Sequence, residues 1–318
     1  MQTLQNHMTN GNLQQKQAQS KSMIGVIQIT SSHDIEENYK KIQNYVSMCA
    51  QKGAQLVCLP ENFACMALTS ADSLAMSEPL TGPLMTKYCE IAKKNNVWLS
   101  LGGFQEKCDI SENKRYNTHV IVNSQGQIVS TYRKLHLFDI DLSKVGGVYL
   151  KESDSVEKGM NLPEVVNTPF GKLGLSICYD LRFPEQYRYL FTQNAQILLI
   201  PASFTVKTGA SHWEPMLRCR AIENQCYVIA AAQTGTHTDK RSTYGHSMVI
   251  DPWGDIIGQM SDKEGCFVCE IDLEYLDKVR GNMACITHMR GDVIYGGQAN
   301  NTINHDDGLQ DTDGHHIN

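Results

Sequence analysis

The sequence predicts an α/β fold in which helices pack on β-sheets, and three observations lead to that prediction. Strand-like and helix-like segments alternate along the chain from Met23 to about Tyr295. The chain has 318 residues, which is enough to bury a large core. No linker or internal repeat interrupts the alternation, so we predict a single domain over residues 23–296.

The first predicted strand, at residues 23–30, is followed by a helix at residues 34–53. Asp34 is placed to cap the start of this helix and Gly53 to end it. Its apolar side chains recur at helical spacing and define one face: Ile35, Tyr39, Ile42, Val46 and Cys49. The next predicted elements are a strand at 54–60, a helix at 84–96, a strand at 97–104 and two strands within 117–134 that turn at Ser124-Gln125-Gly126.

A glycine-containing connection at about 139–163 leads into the second half of the chain. A predicted strand at 172–180 precedes a helix at 184–194, which has Pro184 in its first turn, where proline is tolerated. The remaining predicted elements are a strand at 195–203, a helix at 211–225, a strand at 226–234, a hairpin within 246–260 that turns at Asp251-Pro252-Trp253-Gly254, and a last strand at 265–272.

Charge and hydropathy argue against two classes of partner. The net charge is −6, from 28 basic and 34 acidic residues, so a nucleic-acid partner is not expected. No apolar run approaches the roughly 18 residues of a membrane span, so no membrane partner is expected either. Residues 1–22 contain neither acidic residues nor arginine and lack the apolar segment of a secretory signal. We predict disordered tails at 1–22 and 297–318.

The cysteine content indicates the compartment. Eleven cysteines at irregular spacing, an odd number, do not suggest a disulfide framework. We therefore expect reduced thiols and a cytoplasmic location, while a mitochondrial address for the N-terminal segment stays open. Most of these thiols should serve as small buried hydrophobic side chains.

Three chemically reactive side chains share one kind of position. Glu61 follows the strand segment "LVCLP", Lys134 follows "IVSTYR", and Cys178 follows "LGLSI". Ligand sites of α/β sheets lie at the carboxyl ends of strands, so the three groups are expected to converge. Any one of them alone is more often a packing residue or a surface charge, and their shared placement is what favours a site.

The three residue types form a coherent catalytic set. A thiol attacks as a thiolate, and Glu61 could accept the proton of Cys178. Attack on an amide carbonyl builds an oxyanion, which Lys134 and a backbone N–H after the nucleophile could stabilise. The helix that begins near Pro184 would favour a thiolate only if the turn brings its N-terminus close.

The sequence blocks around these residues resemble the nitrilase superfamily of carbon–nitrogen hydrolases. These blocks are "LPENF" (59–63), "YRKLHLFD" (132–139) and "GLSICYDLRFPE" (174–185). The segments "PASFTVKTGASHWEPMLRCRAIENQCYVIAAAQTG" and "RSTYGHSMVIDPWG" resemble the branch whose members hydrolyse deaminated glutathione. The resemblance implies Cys178 as nucleophile, Glu61 as general base, Lys134 as oxyanion-stabilising or proton-donating residue, and Glu152 as a second, orienting glutamate.

The same resemblance implies a four-layer αββα sandwich that forms homo-oligomers, dimers or tetramers, and uses neither a metal nor an organic cofactor. Two segments depart from the pattern of the superfamily. The loop "SKVGGVYLKES", which carries Glu152, lacks the usual Pro-Gly. The segment "NMACITHMRGDVIY" lacks a proline and one arginine, which we expect to affect packing or assembly more than chemistry.

Candidate substrate contacts follow the nucleophile and the next strand end. They are Arg182, Phe183, Phe204 and Thr205. An arginine at position 182 could hold a substrate carboxylate with two parallel hydrogen bonds. The alternative, which has about equal weight, is that Arg182 pairs with an acidic residue of the protein.

The resulting functional prediction is an amidase that cleaves deaminated glutathione into 2-oxoglutarate and cysteinylglycine through a thioester on Cys178, as metabolite repair. One alternative keeps the Cys-Glu-Lys triad but acts on 2-oxoglutaramate (an ω-amidase), on another small amide or on an N-carbamoyl compound. Another alternative is a nitrilase-like scaffold that acts through protein partners.

Two further motifs carry little weight. Cys266 and Cys269 form a C-x-x-C within a predicted strand, where residues three apart face opposite sides. No second pair accompanies them, so we predict packing rather than zinc or redox chemistry. His212-Trp213-Glu214 resembles the H-x-E of zinc deaminases but lacks a nearby P-C-x-x-C.

Overall fold

Two six-stranded β-sheets stack face to face and are covered on their outer faces by helices. The computed structural model describes residues 20–141 and 149–294. The strands are β1 (Lys21–Gln28), β2 (Leu56–Leu59), β3 (Trp98–Lys107), β4 (Arg115–Val122), β5 (Ile128–Arg133), β6 (Asp139–Asp141), β7 (Tyr149–Lys151), β8 (Val166–Thr168), β9 (Gly171–Leu175), β10 (Ile197–Leu199), β11 (Tyr227–Ala230), β12 (Thr234–Thr238), β13 (Arg241–Tyr244), β14 (Met248–Ile250), β15 (Ile256–Gln259) and β16 (Gly265–Asp272). The helices are α1 (Ile35–Gln51), α2 (Ser70–Ala75), α3 (Pro83–Asn95), α4 (Pro184–Thr192), α5 (Val206–Asn224), α6 (Leu273–Asn282), α7 (Cys285–His288) and α8 (Gly291–Ile294).

The first sheet contains the N-terminal strands β1 to β5 and the last strand, β16, whereas strands of the second half of the chain form the second sheet. The first sheet has the order β16-β1-β2-β3-β4-β5, and the second has the order β15-β14-β11-β10-β9-β8. Parallel pairs lie at the centre of both sheets, namely β1-β2-β3 and β9-β10-β11, and antiparallel strands flank them. Two small hairpins, β6-β7 and β12-β13, lie outside the sheets.

The alternation of side chains along the strands produces four layers. The core between the sheets contains Ile24, Val26, Leu56, Cys58 and Ile121 from the first sheet and Leu173, Leu175, Ile197, Leu199 and Ile229 from the second. The intervening residues of the same strands face outward, where α1 and α3 cover the first sheet and α4 and α5 cover the second. Because a strand presents successive side chains to opposite faces, each sheet contributes to two apolar layers. The predicted αββα sandwich is confirmed.

The first helix begins after a capping aspartate and ends before a glycine, as predicted. The Asp34 side chain accepts a 2.9 Å hydrogen bond from the N–H of Glu37 at the start of α1. Gly53 follows the helix with φ +86°, a conformation that glycine adopts without strain. Within α1, Ile42, Val46 and Cys49 are buried on the predicted face.

Several elements differ from the predictions. The strand β1 begins at Lys21, where Lys21 and Ser22 pair with Asp272 and Ile271, two residues before the start of the predicted domain. The predicted strand at 172–180 ends at Leu175, because the chain turns at Cys178. Helix α5 begins at Val206, five residues before the predicted start. The rest of both predicted tails, at 1–19 and 297–318, lies outside the described residues.

Five kinds of element were absent from the prediction: α2, the short strand β8, the hairpins β6-β7 and β12-β13, and the helices α6 to α8. The hairpin β6-β7 lies within the predicted connection at 139–163. The hairpin β12-β13 has the polar sequences TGTHT and RSTY, which show no apolar alternation. Helix α6 starts directly at the end of β16, where Asp272 caps it by accepting from the N–H of Glu274. Within the described parts of the chain, no helix is long and apolar enough to cross a membrane.

Candidate active site

The three reactive residues that the sequence pattern singled out, Glu61, Lys134 and Cys178, come from both sheets. Glu61 lies two residues after β2, Lys134 directly follows β5, and both belong to the first sheet. Strands β2 and β5 run in the same direction, so both side chains lie at one edge. Cys178 follows β9 of the second sheet, and its thiol lies close enough to the Glu61 carboxylate for each group to shift the pKa of the other. The predicted convergence is therefore present, and the face-to-face stacking of the sheets produces it.

Cys178 occupies a backbone conformation that is rare for a side chain with a Cβ. Its φ is +46°, in the left-handed region. The Cys178 N–H donates to the Pro201 carbonyl at 2.8 Å, which continues the hydrogen bonding between β9 and β10. A short 3₁₀ turn, Cys178–Arg182, follows directly; we call it the nucleophile turn. The first N–H groups of such a turn have no acceptor within it, so the N–H of Tyr179 can serve an oxyanion.

A buried aspartate holds the nucleophile turn against the first sheet. Asp180 is fully buried and accepts from the Ile177 N–H at 2.9 Å. Its two oxygens also accept from the Tyr132 hydroxyl at 2.8 Å and from the His136 N–H at 3.1 Å, and the His136 ring Nδ1 lies 2.7 Å away. Asp180 was not predicted as a site residue, although it lies only two residues after the nucleophile, in "CYD". These hydrogen bonds tie the start of the nucleophile turn to Tyr132 of β5 and to His136.

Lys134 lies between two carboxylates in the interior. Its side chain is 2% exposed, and Nζ lies 2.9 Å from Glu61 Oε1 and 3.0 Å from Glu152 Oε2. Burial alone would lower the pKa of Lys134, but the charges of Glu152 and Glu61 outweigh it and raise that pKa. Burial alone would raise the pKa of Glu61, but the Lys134 ammonium holds it below its usual range. The site therefore holds an ammonium and an ionised carboxylate together.

One side-chain amide and one backbone N–H donate hydrogen bonds to the two carboxylates, Glu61 and Glu152. The amide of Asn117 on β4 donates to Glu61 Oε1 at 2.9 Å and to Glu152 Oε1 at 3.4 Å. The Phe138 N–H donates to Glu152 Oε2 at 2.8 Å. Asn117 was not predicted, although a polar residue on the inward face of a buried strand is unusual enough to suggest a role. Glu152 contacts the site although residues 142–148 of its loop lie outside the described part of the chain.

The thiol of Cys178 is protonated at rest. Burial and the nearby Glu61 carboxylate raise its pKa well above the usual range, and Lys134 only partly offsets them. The backbone N–H of Ser203 also contacts the sulfur and acts in the same direction as Lys134. A thiol that lies beside an ionised carboxylate can lose its proton to that carboxylate as it attacks, so a preformed thiolate is not required.

Among the candidate substrate contacts, Arg182 and Phe204 lie together. The Arg182 guanidinium stands 5.5 Å from the centre of the Phe204 ring and lies 3.3 Å from the ring nitrogen Nδ1 of His212. No carboxylate of the described residues lies within ion-pair distance of Arg182, so the predicted alternative of a structural acid partner finds no support there. The Phe204 ring is itself buried against Trp213, with 5.0 Å between ring centres.

The other two candidates are engaged with their own surroundings. Phe183 stacks on the His136 ring, with 3.7 Å between centres and 9° between planes. Thr205 precedes α5, and its hydroxyl lies 2.9 Å from that of Thr208 in the first helical turn. Phe183 therefore supports the nucleophile turn from outside, and Thr205 lies beside Phe204 at the start of α5.

The two cysteines of the C-x-x-C face opposite sides of β16, as predicted. Cys266 packs with the apolar layer beneath α1, where its thiol contacts Cys49, whereas Cys269 packs against the core between the sheets. All eleven cysteines are free thiols. Among the described residues, no group of three His, Cys, Asp or Glu side chains could hold a metal ion.

The fold and the site together define a class of enzyme. Two sheets covered by helices enclose a thiol, two carboxylates and an ammonium, and the comparison with protein families identifies the same class. The carbon–nitrogen hydrolase family matches residues 23–281, and the chain belongs to this family, within the nitrilase superfamily. It is an amidohydrolase of the four-layer αββα type.

Individual relatives cover most of the chain. The deaminated glutathione amidase of Homo sapiens is 45% identical over 276 residues, which cover 86% of this chain and 84% of the human protein. The Dictyostelium discoideum enzyme of the same name is 47% identical over 274 residues, which cover 84% of this chain and 93% of that protein.

A longer relative shows the same fold. The Caenorhabditis elegans nitrilase and fragile histidine triad fusion protein NitFhit is 43% identical over 276 residues, or 87% of this chain. The match spans only 62% of that fusion protein. Its crystal structure superposes with a TM-score of 0.82 at 44% identity, over 87% of this chain and 66% of that one.

Proposed function

We propose that the chain hydrolyses the amide bond of deaminated glutathione and releases 2-oxoglutarate and cysteinylglycine. The observation that carries the proposal is the buried cluster of Lys134, Glu61 and Cys178, with Nζ 2.9 Å from Glu61 Oε1 and the thiol near enough to the same carboxylate for that charge to raise its pKa. The names of the human and Dictyostelium relatives, at 45% and 47% identity, support the choice of substrate.

Acylation begins when the sulfur of Cys178 attacks the amide carbon and the thiol proton passes to Glu61. The carbonyl oxygen becomes an oxyanion beside the Lys134 ammonium and the N–H of Tyr179. The raised pKa of Lys134 keeps its proton in place, so the protonated Glu61 is the donor to the amine. The C–N bond then breaks, cysteinylglycine leaves as the free amine, and a thioester to Cys178 remains.

Deacylation reverses the proton path with water in place of the amine. Glu61 takes a proton from water as the oxygen attacks the thioester carbon, and the same donors stabilise the second oxyanion. The C–S bond breaks, the carboxylic acid product leaves as 2-oxoglutarate, and Glu61 returns its proton to the sulfur. Glu152 keeps Lys134 charged and oriented through both steps.

On the acyl side, Arg182 is the proposed ligand of the 2-oxo acid carboxylate. Its guanidinium has aromatic and imidazole neighbours rather than a carboxylate among the described residues. Phe204, Phe183 and Thr205 would shape the surrounding wall. A guanidinium that lacks an internal acid can form two parallel hydrogen bonds to a bound carboxylate.

The test is to trap the thioester. The protein is incubated with deaminated glutathione, quenched in acid, and examined by intact and peptide mass spectrometry for a 2-oxoglutaryl group on Cys178. Cys178→Ala should abolish turnover and the adduct, and Cys219→Ala, which removes an exposed thiol on α5, should change neither. Unchanged turnover in Cys178→Ala would overturn the mechanism. A larger kcat/KM for 2-oxoglutaramate or an N-carbamoyl amino acid would favour the alternative substrates, and inactivity on all of them would favour a scaffold.

We further propose a cytoplasmic enzyme that forms a dimer or tetramer. Eleven free thiols fit a reducing compartment. Apolar side chains next to α5 are half exposed, namely Ile222 at 51% and Trp253 at 53%, as expected where copies of the chain would meet. Light scattering after size-exclusion chromatography gives the number of subunits, and a monomer would contradict the oligomer.

A further inference from the structure

Two arginines near the catalytic cluster have no carboxylate partner in the described part of the chain. Arg241 begins β13, and Arg115 begins β4. Among the residues that the structure describes, neither guanidinium has a carboxylate within ion-pair distance, although arginines of the interior and its margins normally have one. The mechanism derived above uses neither residue.

Arg241 is connected to the nucleophile through one residue. Strand β13 docks beside the end of β10, since the Tyr244 N–H donates to the Phe204 carbonyl at 3.0 Å. The Arg241 guanidinium donates to the Ser203 hydroxyl at 3.2 Å, and the backbone N–H of Ser203 contacts the Cys178 sulfur. The residue is exposed as a whole, so its guanidinium lies where the site meets solvent.

Arg115 approaches the same site from the first sheet. It is two residues from Asn117 on β4, so both side chains lie on the face that carries Glu61 and Glu152. Its Nε donates to the Ser73 hydroxyl at 2.5 Å, and its buried Nη1 has no hydrogen-bond partner among residues 20–141 and 149–294. A buried N–H without an acceptor is costly unless a ligand satisfies it.

The two guanidiniums act on each other. Burial lowers the pKa of Arg115, and the positive charge of Arg241 lowers it further, although two carboxylates of the site oppose both effects. Two cations that repel each other at the margin of a site, one of them with an unsatisfied donor, favour an anionic ligand between them.

The role of Glu61 indicates which end of the substrate would carry the anionic group that Arg241 and Arg115 favour. Burial raises the pKa of Glu61, whereas the charges of Lys134 and, less strongly, Arg241 lower it, so the charge of Arg241 acts on the carboxylate that serves the departing amine. Glu61 delivers its proton to the departing amine and must face that side of the scissile bond. Arg182, over the Phe204 ring, belongs to the acyl side.

We propose that Arg241, assisted by Arg115, binds the carboxylate of the amine portion of the substrate, which in cysteinylglycine is the glycine carboxylate. The proposal rests on the proposed function and deepens it, because it separates two substrates that share an acyl group. Deaminated glutathione carries a second carboxylate on its leaving group, whereas 2-oxoglutaramate releases ammonia and carries none. Arg241 therefore sets the preference for a peptide-like leaving group.

The experiment tests whether the loss of the Arg241 charge matters only when the leaving group of the substrate carries a carboxylate. Arg241→Gln and its neighbour Lys240→Gln, an exposed control on the same hairpin, are assayed with three substrates: deaminated glutathione, its C-terminal carboxamide and 2-oxoglutaramate. For Arg241→Gln we expect kcat/KM on deaminated glutathione to fall about 30-fold, mainly through KM, as for the loss of one charge-assisted hydrogen-bond pair. The other two substrates should lose about threefold or less, and Lys240→Gln should match the wild type. Arg115→Gln should act in the same direction.

Equal losses of Arg241→Gln on all three substrates would overturn the proposal, and so would a wild-type enzyme that cleaves the carboxamide as well as the acid. Failure of the proposed function gives a different result, namely no turnover of any substrate by the wild type. In that case the binding of cysteinylglycine is measured by calorimetry. The two proteins compared are Cys178→Ala and Cys178→Ala/Arg241→Gln. Binding that depends on Arg241 supports the subsite, and binding that is equal in both variants or absent from both refutes it.

Discussion

Because the backbone at Cys178 is left-handed, we predict that glycine at this position gives a more stable protein than alanine, the reverse of the order in a helix. At φ +46° a residue with a Cβ is strained by roughly 1–2 kcal/mol, which glycine avoids. Glycine loses more backbone entropy on folding, by about 0.5–1 kcal/mol relative to alanine. The difference makes Cys178→Gly more stable than Cys178→Ala by about 1 kcal/mol. Both variants lack the thiol and its contact with Glu61, so these effects cancel in the comparison.

The free energy of unfolding of the two variants is measured in urea at one protein concentration. The matched control is Ala210→Gly, the same chemical change at an exposed position inside α5. In that ordinary helical backbone, glycine should destabilise the protein by about 1 kcal/mol. The two alanine-to-glycine comparisons should therefore differ in sign and be separated by about 2 kcal/mol.

A Cys178→Gly protein that is less stable than Cys178→Ala would refute this reasoning. The strain at the nucleophile would then be smaller than the entropy of glycine, and the turn would need no support from Asp180. The predicted order instead means that the fold accepts a cost at this residue in order to project the thiol towards Glu61.

Three further predictions concern the charges around the nucleophile. Asp180→Asn replaces a fully buried charged acceptor, so denaturant unfolding should show a loss of about 2–3 kcal/mol; an unchanged midpoint would exclude it as the anchor of the turn. Glu152→Gln removes a charge that raises the pKa of Lys134, so the alkaline limb of kcat/KM should move to lower pH, and a limb that stays in place would contradict the ion pair. Burial raises the pKa of Glu61, but the Lys134 ammonium holds it below its usual range, so the acid limb of kcat/KM should lie below the pH at which an ordinary glutamate titrates. The stability that Glu61 contributes should be present above the ordinary glutamate pKa and be lost as the pH falls through the lower folded pKa. Arg241→Gln should move the acid limb upward, and an unmoved limb would mean that Arg241 is remote from Glu61.

The local sequence determined the parts of this protein that depend on local interactions. Asp34 and Gly53 delimit α1 through a side-chain cap and a left-handed glycine, both of which involve residues close in sequence. The alternation of β16 predicted that Cys266 and Cys269 face different layers, and the structure confirmed it. The triad residues could be found because each follows a strand, a position that sequence pattern reveals.

Where the pattern was polar or irregular, the sequence underdetermined the structure. The hairpin β12-β13 has no apolar alternation, because its stability comes from pairing and from docking beside β10. Glu152 sits on an irregular loop, and nothing in its neighbours indicates that Lys134 lies 3.0 Å away. Asn117 and Asp180 are short polar residues whose importance depends on burial, which the stacked sheets create.

The sequence by itself determined the α/β class, most of the strands and helices and the candidate reactive groups, since periodicity and caps are encoded within a few residues. Only the tertiary structure decided how those groups are charged and which others join them. The pKa of Cys178 follows from burial and from Glu61 on the opposite sheet, and the place of Arg241 follows from a hairpin that reaches Ser203. Such contacts join residues far apart in the chain, and electrostatic effects depend on distance and solvent access, which exist only once the two sheets have packed.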